Sequence, residues 1–133
     1  MDDRVHLTPA HEDYIEAIVE LEAAQDVNQI RSVDIATMLD VSKASVNKAL
    51  QTLREAGLID QERYGRITLT EAGRTYGQEI LERHLILRDF LANDLGVDPQ
   101  VADEEACRME HAISDDTMAR WAAWLENLHA AKL

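Results

Sequence analysis

The chain has 133 residues, of which 46% are hydrophobic, and a formal net charge of −13. That length holds one compact unit or two small subdomains sharing a core, and the apolar content excludes global disorder. Few aromatics, few glycines and only two prolines favour a helix-dominated fold. The excess of acid argues against indiscriminate nucleic-acid binding.

The amino terminus, Met1-Asp2-Asp3-Arg4, is acidic with no apolar run behind it, so no signal peptide is expected. No stretch is long and apolar enough to span a bilayer. A lone cysteine, Cys107, forms no internal disulfide and fits a reducing, cytoplasmic setting. Thr8-Pro9 starts a helix, with a hydroxyl cap and then proline at the first helical position. This helix runs to about Ala24 and is apolar through Tyr14, Ile15, Ile18, Val19 and Leu21. Asp13 and Glu16 stand three apart on it; solvated carboxylates are the ordinary reading of such a pair.

Residues Gln25 to Gln29 form a polar connection. A short helix is expected from Ser32, as cap, to Leu39, followed by a turn at Asp40-Val41-Ser42. A second helix runs from about Lys43 to Ala56, with Val46, Leu50 and Leu53 as its buried stripe, and Gly57 stops it. Two short helices on a tight turn make a helix-turn-helix, whose second helix reads the major groove. Lys43, Ser45, Asn47, Lys48 and Gln51 are its candidate contacts, since Asn and Gln can pair with adenine and Lys with guanine or phosphate. Arg31 and Ser42 join them as DNA-binding candidates. A plain αα-hairpin is the competing reading. Strand-like Leu58-Ile59-Asp60 and Arg66-Ile67-Thr68-Leu69-Thr70 add a hairpin, making the unit a winged helix with Arg63 and Arg66 at its tip. From Arg31 to Arg66 six basic residues face five acidic ones, a local net of +1, so the acidity lies in the flanking helices.

A long helix, about Glu71 to Leu95, is apolar on more of its circumference than one small domain would bury, which suits packing against a second subunit. His84 lies among Leu81, Leu85 and Leu87; a core histidine is the ordinary reading. Asp98-Pro99 starts another helix, expected to reach Ile113, and Ser114-Asp115-Asp116 caps a last one to about Ala131. In the first of these, Cys107, Glu110 and His111 fall at i, i+3 and i+4, placing thiol, carboxylate and imidazole on one face of one turn. All three are ligands for a divalent transition metal. The fold expected is mostly α: a winged helix-turn-helix domain at 1–72, then an all-helical metal-binding and dimerisation domain at 73–133.

The chain resembles the DtxR/MntR family of metal-dependent repressors. The resemblance rests on Asp13-Tyr14-Ile15-Glu16, Val41-Ser42-Lys43-Ala44-Ser45-Val46, Leu53-Arg54-Glu55-Ala56-Gly57-Leu58-Ile59, Leu69-Thr70-Glu71-Ala72-Gly73, His84-Leu85-Ile86-Leu87 and Ala106 to Ser114. It implies a two-domain form, without the SH3-like domain of longer members, that binds palindromic operators as a homodimer. Glu110, His111 and His84 match ligand positions of both family branches. Cys107 matches the iron branch; Asp13 and Glu16 match the manganese branch. Arg88 and Asp103 stand where the iron branch has the Glu and His of an ancillary metal site, so that site is not implied.

The expected primary site is Asp13, Cys107, Glu110 and His111; Glu16 and His84 could form a second by sharing Glu110. A thiolate among carboxylates favours Fe²⁺, with Mn²⁺ next and Co²⁺, Ni²⁺ or Zn²⁺ binding in vitro. The function expected is metal-dependent regulation, as a repressor of iron or manganese uptake genes. The rivals are a metal-independent winged-helix regulator, a small metal enzyme and a protein-interaction module.

Overall fold

The computed structural model describes residues 7–24, 30–62 and 65–131. The polar connection at 25–29 and the wing-tip Arg63 lie outside the described residues. Six α-helices and one two-stranded sheet are present among those described. They are α1 (Pro9–Ala24), α2 (Ser32–Leu39), α3 (Lys43–Glu55), β1 (Ile59–Gln61), β2 (Ile67–Leu69), α4 (Glu71–Asp89), α5 (Pro99–Glu110) and α6 (Asp115–Ala131). Two compact units divide within α4, Met1–Ile80 and Leu81–Leu133.

In the first unit, the Thr8 hydroxyl accepts the His11 backbone N–H at 3.2 Å and opens α1 as the Thr-Pro pair predicts. Ser32, expected to cap α2, is instead its first helical residue, and Arg31 holds the cap position. The Asp34 carboxylate reaches back to the Arg31 N–H at 2.9 Å, which satisfies the helix entrance without the serine. The Ser32 hydroxyl donates to Asn47 Oδ1 across the two helices at 3.2 Å. Asp40 takes the left-handed conformation, with φ 54°, and ends α2. Ser42 caps α3, its hydroxyl accepting the Ser45 N–H at 3.1 Å.

Behind α3 the chain turns at Gly57, whose φ of +76° suits glycine, and pairs β1 with β2 antiparallel, Ile59 opposite Leu69 and Gln61 opposite Ile67. Ile30 adds a bridge to Ile67. Ile15, Ile18, Ile35, Val46, Leu50, Leu53, Ile59 and Ile67 are all buried and make this unit's core. The first half of α4 lies close against it. Tyr76 Oη donates to Glu12 Oε2 at 2.7 Å, and Arg74 pairs with Glu22.

In the second unit α4 does not run on as a regular helix to Leu95. Phe90–Asp94 forms a π-helical turn, with the Leu95 N–H bonding the Phe90 carbonyl at 3.1 Å. No Gly or Pro announces it in the sequence; the Phe90 ring packs edge-on to Trp121, centroids 5.3 Å apart. Gly96, with φ +75°, ends the segment, and the Asp98 carboxylate caps α5 by accepting the Gln100 N–H at 3.0 Å. Leu87, Ala106 and Met118 form the core here, flanked by Ile86, Leu91, Met109, Ile113 and Trp121. The α5 helix ends at Glu110, short of the expected Ile113, because Ser114 starts α6 by accepting the Thr117 N–H at 3.1 Å.

Gly73 marks the tightest contact of the first unit. A Cβ there would stand 1.8 Å from the Leu58 carbonyl oxygen, which is backbone and has no rotamer to escape into. Gly73→Ala is therefore expected to cost about 1–3 kcal/mol through overpacking, outweighing alanine's better helix propensity. Urea denaturation would show it as a lower midpoint at unchanged slope.

Candidate metal centre and nucleic-acid interface

The second unit builds a cluster around one carboxylate. Glu110 is 1% exposed, and neither of its oxygens takes a hydrogen bond. Oε2 lies 3.1 Å from His84 Nδ1 and Oε1 lies 3.3 Å from His111 Nε2. Cys107, Glu110 and His111 each bring a ligand atom within 4.8 Å of the others. The half-buried thiol of Cys107 lies one turn before His111. His111 is the C-cap of α5, but its backbone (φ −87°, ψ −13°) continues the helical direction, so the i, i+3, i+4 spacing survives the earlier helix end.

The end of α5 is anchored by Arg83 of α4. Its Nη1 donates to the carbonyls of Glu110 and Ile113, each at 3.3 Å, and its Nη2 pairs with Asp115 at the start of α6. One guanidinium thus satisfies carbonyls that the helix terminus leaves open. His84, 9% exposed, comes from the next residue of α4, and its Nε2 donates to Asp103 Oδ1 at 2.7 Å. Asp103 is the one group in the cluster that sequence reading passed over as a participant. It lies on the face of α5 that carries Cys107, Glu110 and His111, at i, i+4, i+7 and i+8, and that periodicity was the available signal.

A buried carboxylate without hydrogen bonds is costly unless a cation faces it. Thiol, imidazole and carboxylate together are transition-metal donors, so the residues fit a divalent ion of that kind better than calcium or magnesium. Asp13 and Glu16, the two other expected ligands, lie on α1 of the first unit; Asp13 is half-buried and Glu16 is buried.

The reading face lies wholly in the first unit. Lys43, Ser45, Asn47, Lys48 and Gln51 are all exposed on α3, opposite its buried Val46, Leu50 and Leu53. Ser42 is exposed too, with its hydroxyl engaged in the cap. Arg31 is exposed at the entrance to α2. In the hairpin turn Arg66 is ion-paired to Glu62.

Comparison with known proteins bears on both surfaces. Residues 6–67 match the family described as iron dependent repressor, N-terminal DNA binding domain. Residues 70–131 match its partner, iron dependent repressor, metal binding and dimerisation domain. The chain belongs to the DtxR/MntR family of metal-dependent repressors. It is 35% identical over 115 residues to an uncharacterized HTH-type transcriptional regulator of Methanocaldococcus jannaschii, covering 86% of this chain and 91% of that one. It is 37% identical over 121 residues to the transcriptional regulator MntR of Escherichia coli O6:H1, covering 91% of this chain and 76% of the relative. A solved manganese-dependent transcriptional repressor in complex with manganese superposes with a TM-score of 0.77 at 32% identity. That alignment covers 87% of this chain and 52% of the other, so the chain spans about half the solved repressor's length. As a family member it is a metal-dependent DNA-binding transcriptional regulator, which sets aside the enzyme reading. Among the described residues no helix is long and apolar enough to cross a membrane.

Arg83 offers a test of how the cluster is held. Arg83→Ala leaves two carbonyls and a carboxylate without their charged donor, an expected loss of about 1–3 kcal/mol. Hydrogen exchange would rise first in the last turn of α5.

Proposed function

We propose that Asp13 of the DNA-binding unit and Cys107, Glu110 and His111 of the second hold a divalent cation in common, with Glu16 and His84 as ligands of a second ion that shares Glu110. The observation that carries the reading is Glu110: buried, without hydrogen bonds, and flanked by two imidazoles and a thiol. Asp13 and Glu16 enter it on their i, i+3 spacing and their match to ligands of the manganese branch. Bound there, the ion supplies the positive charge that Glu110 lacks and a cross-link between side chains far apart in sequence. Residues 1–72 read double-stranded DNA, and residues 73–133 form the homodimer.

Joined by their ligands, α1 and the dimer-forming helices set the spacing of two recognition helices. A palindromic operator with half-sites a whole number of turns apart demands such a spacing. Coupling of this kind is typically about 1–3 kcal/mol, or roughly 5–150-fold, and is reciprocal. On this reading the protein is a cytoplasmic repressor of iron or manganese uptake genes. Cys107 tilts the donor set toward Fe²⁺; the manganese named for the solved repressor makes Mn²⁺ the other ion to test. Lys43, Lys48, Arg31, Arg63 and Arg66 are assigned to phosphate, and Asn47, Gln51 and Ser45 to base edges; Ser42 positions the start of α3.

A gel-shift titration with Fe²⁺ under anaerobic conditions, or with Mn²⁺, tests this. Wild-type affinity for the operator should rise with added ion, and Glu110→Gln should flatten that response. An unchanged response in the variant overturns the reading. At saturating metal, Lys48→Ala should weaken all sequences alike and lower the salt slope by about one unit. Asn47→Ala should cost about 1–3 kcal/mol and relax preference at one base pair only.

A further inference from the structure

His84 keeps its two ring nitrogens in different company. Nε2 is 2.7 Å from Asp103 Oδ1, and Nδ1 is 3.1 Å from Glu110 Oε2. An ionised carboxylate offers only acceptors, so the contact with Asp103 places a proton on Nε2. A neutral ring protonated there presents its lone pair at Nδ1, on the side of Glu110. We infer that Asp103 is a positioning residue that fixes His84 as a metal ligand through Nδ1. This rests on the metal reading above and deepens it.

Three features favour Asp103 for that work. First, it reaches His84 from α5, the helix that carries Cys107, Glu110 and His111, so ligand and orienter are held by the same rigid element. Second, the Asp103 side chain is 56% exposed while that of His84 is 11% exposed. The carboxylate therefore stands at the solvent edge, whereas the ring is held in place by its surroundings. Third, among the described residues no group of three donors includes Asp103, so the pair is not a second metal site of its own. A carboxylate on the far nitrogen of a ligating imidazole fixes its tautomer and raises its basicity, and losing one typically weakens metal binding by 10–100-fold.

The test uses the full chain labelled with ¹⁵N-histidine and titrated with Zn²⁺, with the His84 signals identified from His84→Gln. In wild type, Nδ1 should take the metal-bound shift while Nε2 keeps its proton. Asp103→Ala should weaken Zn²⁺ binding by about 10–100-fold in calorimetry, with the Nε2 proton lost to fast exchange. Asp103→Asn keeps an acceptor at the same place, so it should restore ligation through Nδ1 and most of the affinity. Asp103 is on an exposed helix face, and thermal melts matching wild type would show the fold of its variants intact. Zn²⁺ bound through Nε2 overturns the inference and leaves the metal site standing. So does an Asp103→Ala variant with wild-type affinity and the same ligating nitrogen. No metal-induced shift at either nitrogen overturns both this inference and the proposed role of His84 as a ligand.

Discussion

The second unit is arranged around a single electrostatic demand, the carboxylate of Glu110. A charge almost wholly withdrawn from water, with no hydrogen bond to either oxygen, needs a positive partner or a proton. Among the described residues no lysine or arginine side chain is ion-paired to it; its ion-pair partners are His84 and His111. Arg83, the nearest cation along α4, spends its guanidinium on backbone carbonyls and Asp115. What faces Glu110 instead is two imidazoles and, within ligand distance, a thiol. A hydrophobic core would have no use for this group of side chains. Replacing Glu110 by a leucine of similar size would remove the demand altogether, and the retention of a carboxylate at that depth is itself the argument for a function.

The first unit rests mainly on apolar packing, with Glu16 as its one buried carboxylate among the described residues. Its helix entrances are closed by Thr8, Asp34 and Ser42, and its wing hairpin is tied to Ile30. On the proposed reading, control over such a reader acts on its placement, because the candidate contact side chains on α3 are already exposed. The charge distribution points the same way. A local net of +1 over Arg31–Arg66 inside a chain of −13 gives little electrostatic reserve, so geometry carries more of the binding than it would in a strongly basic protein.

Much of this was legible beforehand, and the reasons can be named. Helical periodicity located α1, α3 and α6, and the turn chemistry of Gly57 and Asp98-Pro99 set the end of α3 and the start of α5. The cap of α2 was misread, since Ser32 looks like the better cap while Asp34 does the capping from inside the helix. The π-turn at Phe90–Asp94 has no Gly or Pro to announce it, and the packing of Phe90 on Trp121 is a tertiary contact that no local pattern encodes. Cys107, Glu110 and His111 were readable because their clustering needs only one helix. Their meeting with His84 depends on how α4 packs on α5, which no local pattern encodes; the family resemblance supplied it. Asp103 lay on the readable face and was still missed, since its partner is on another element.

The mixture of donors also bears on how the proposed sensor would discriminate between ions. Affinity for first-row divalent ions rises from manganese through iron and cobalt to copper at most nitrogen, oxygen and sulfur sites. A site with a thiolate would steepen that order and favour zinc and copper over iron and manganese. Selection for iron or manganese would then come from coordination number and cellular supply. Glu110 is central to that discrimination because it lies beside both His84 and His111. An ion satisfied by Cys107, Glu110 and His111 would relieve the buried charge without engaging α1. On the proposed reading, a higher-coordinate ion would take a ligand from α1 as well, and only that second outcome would couple metal to DNA.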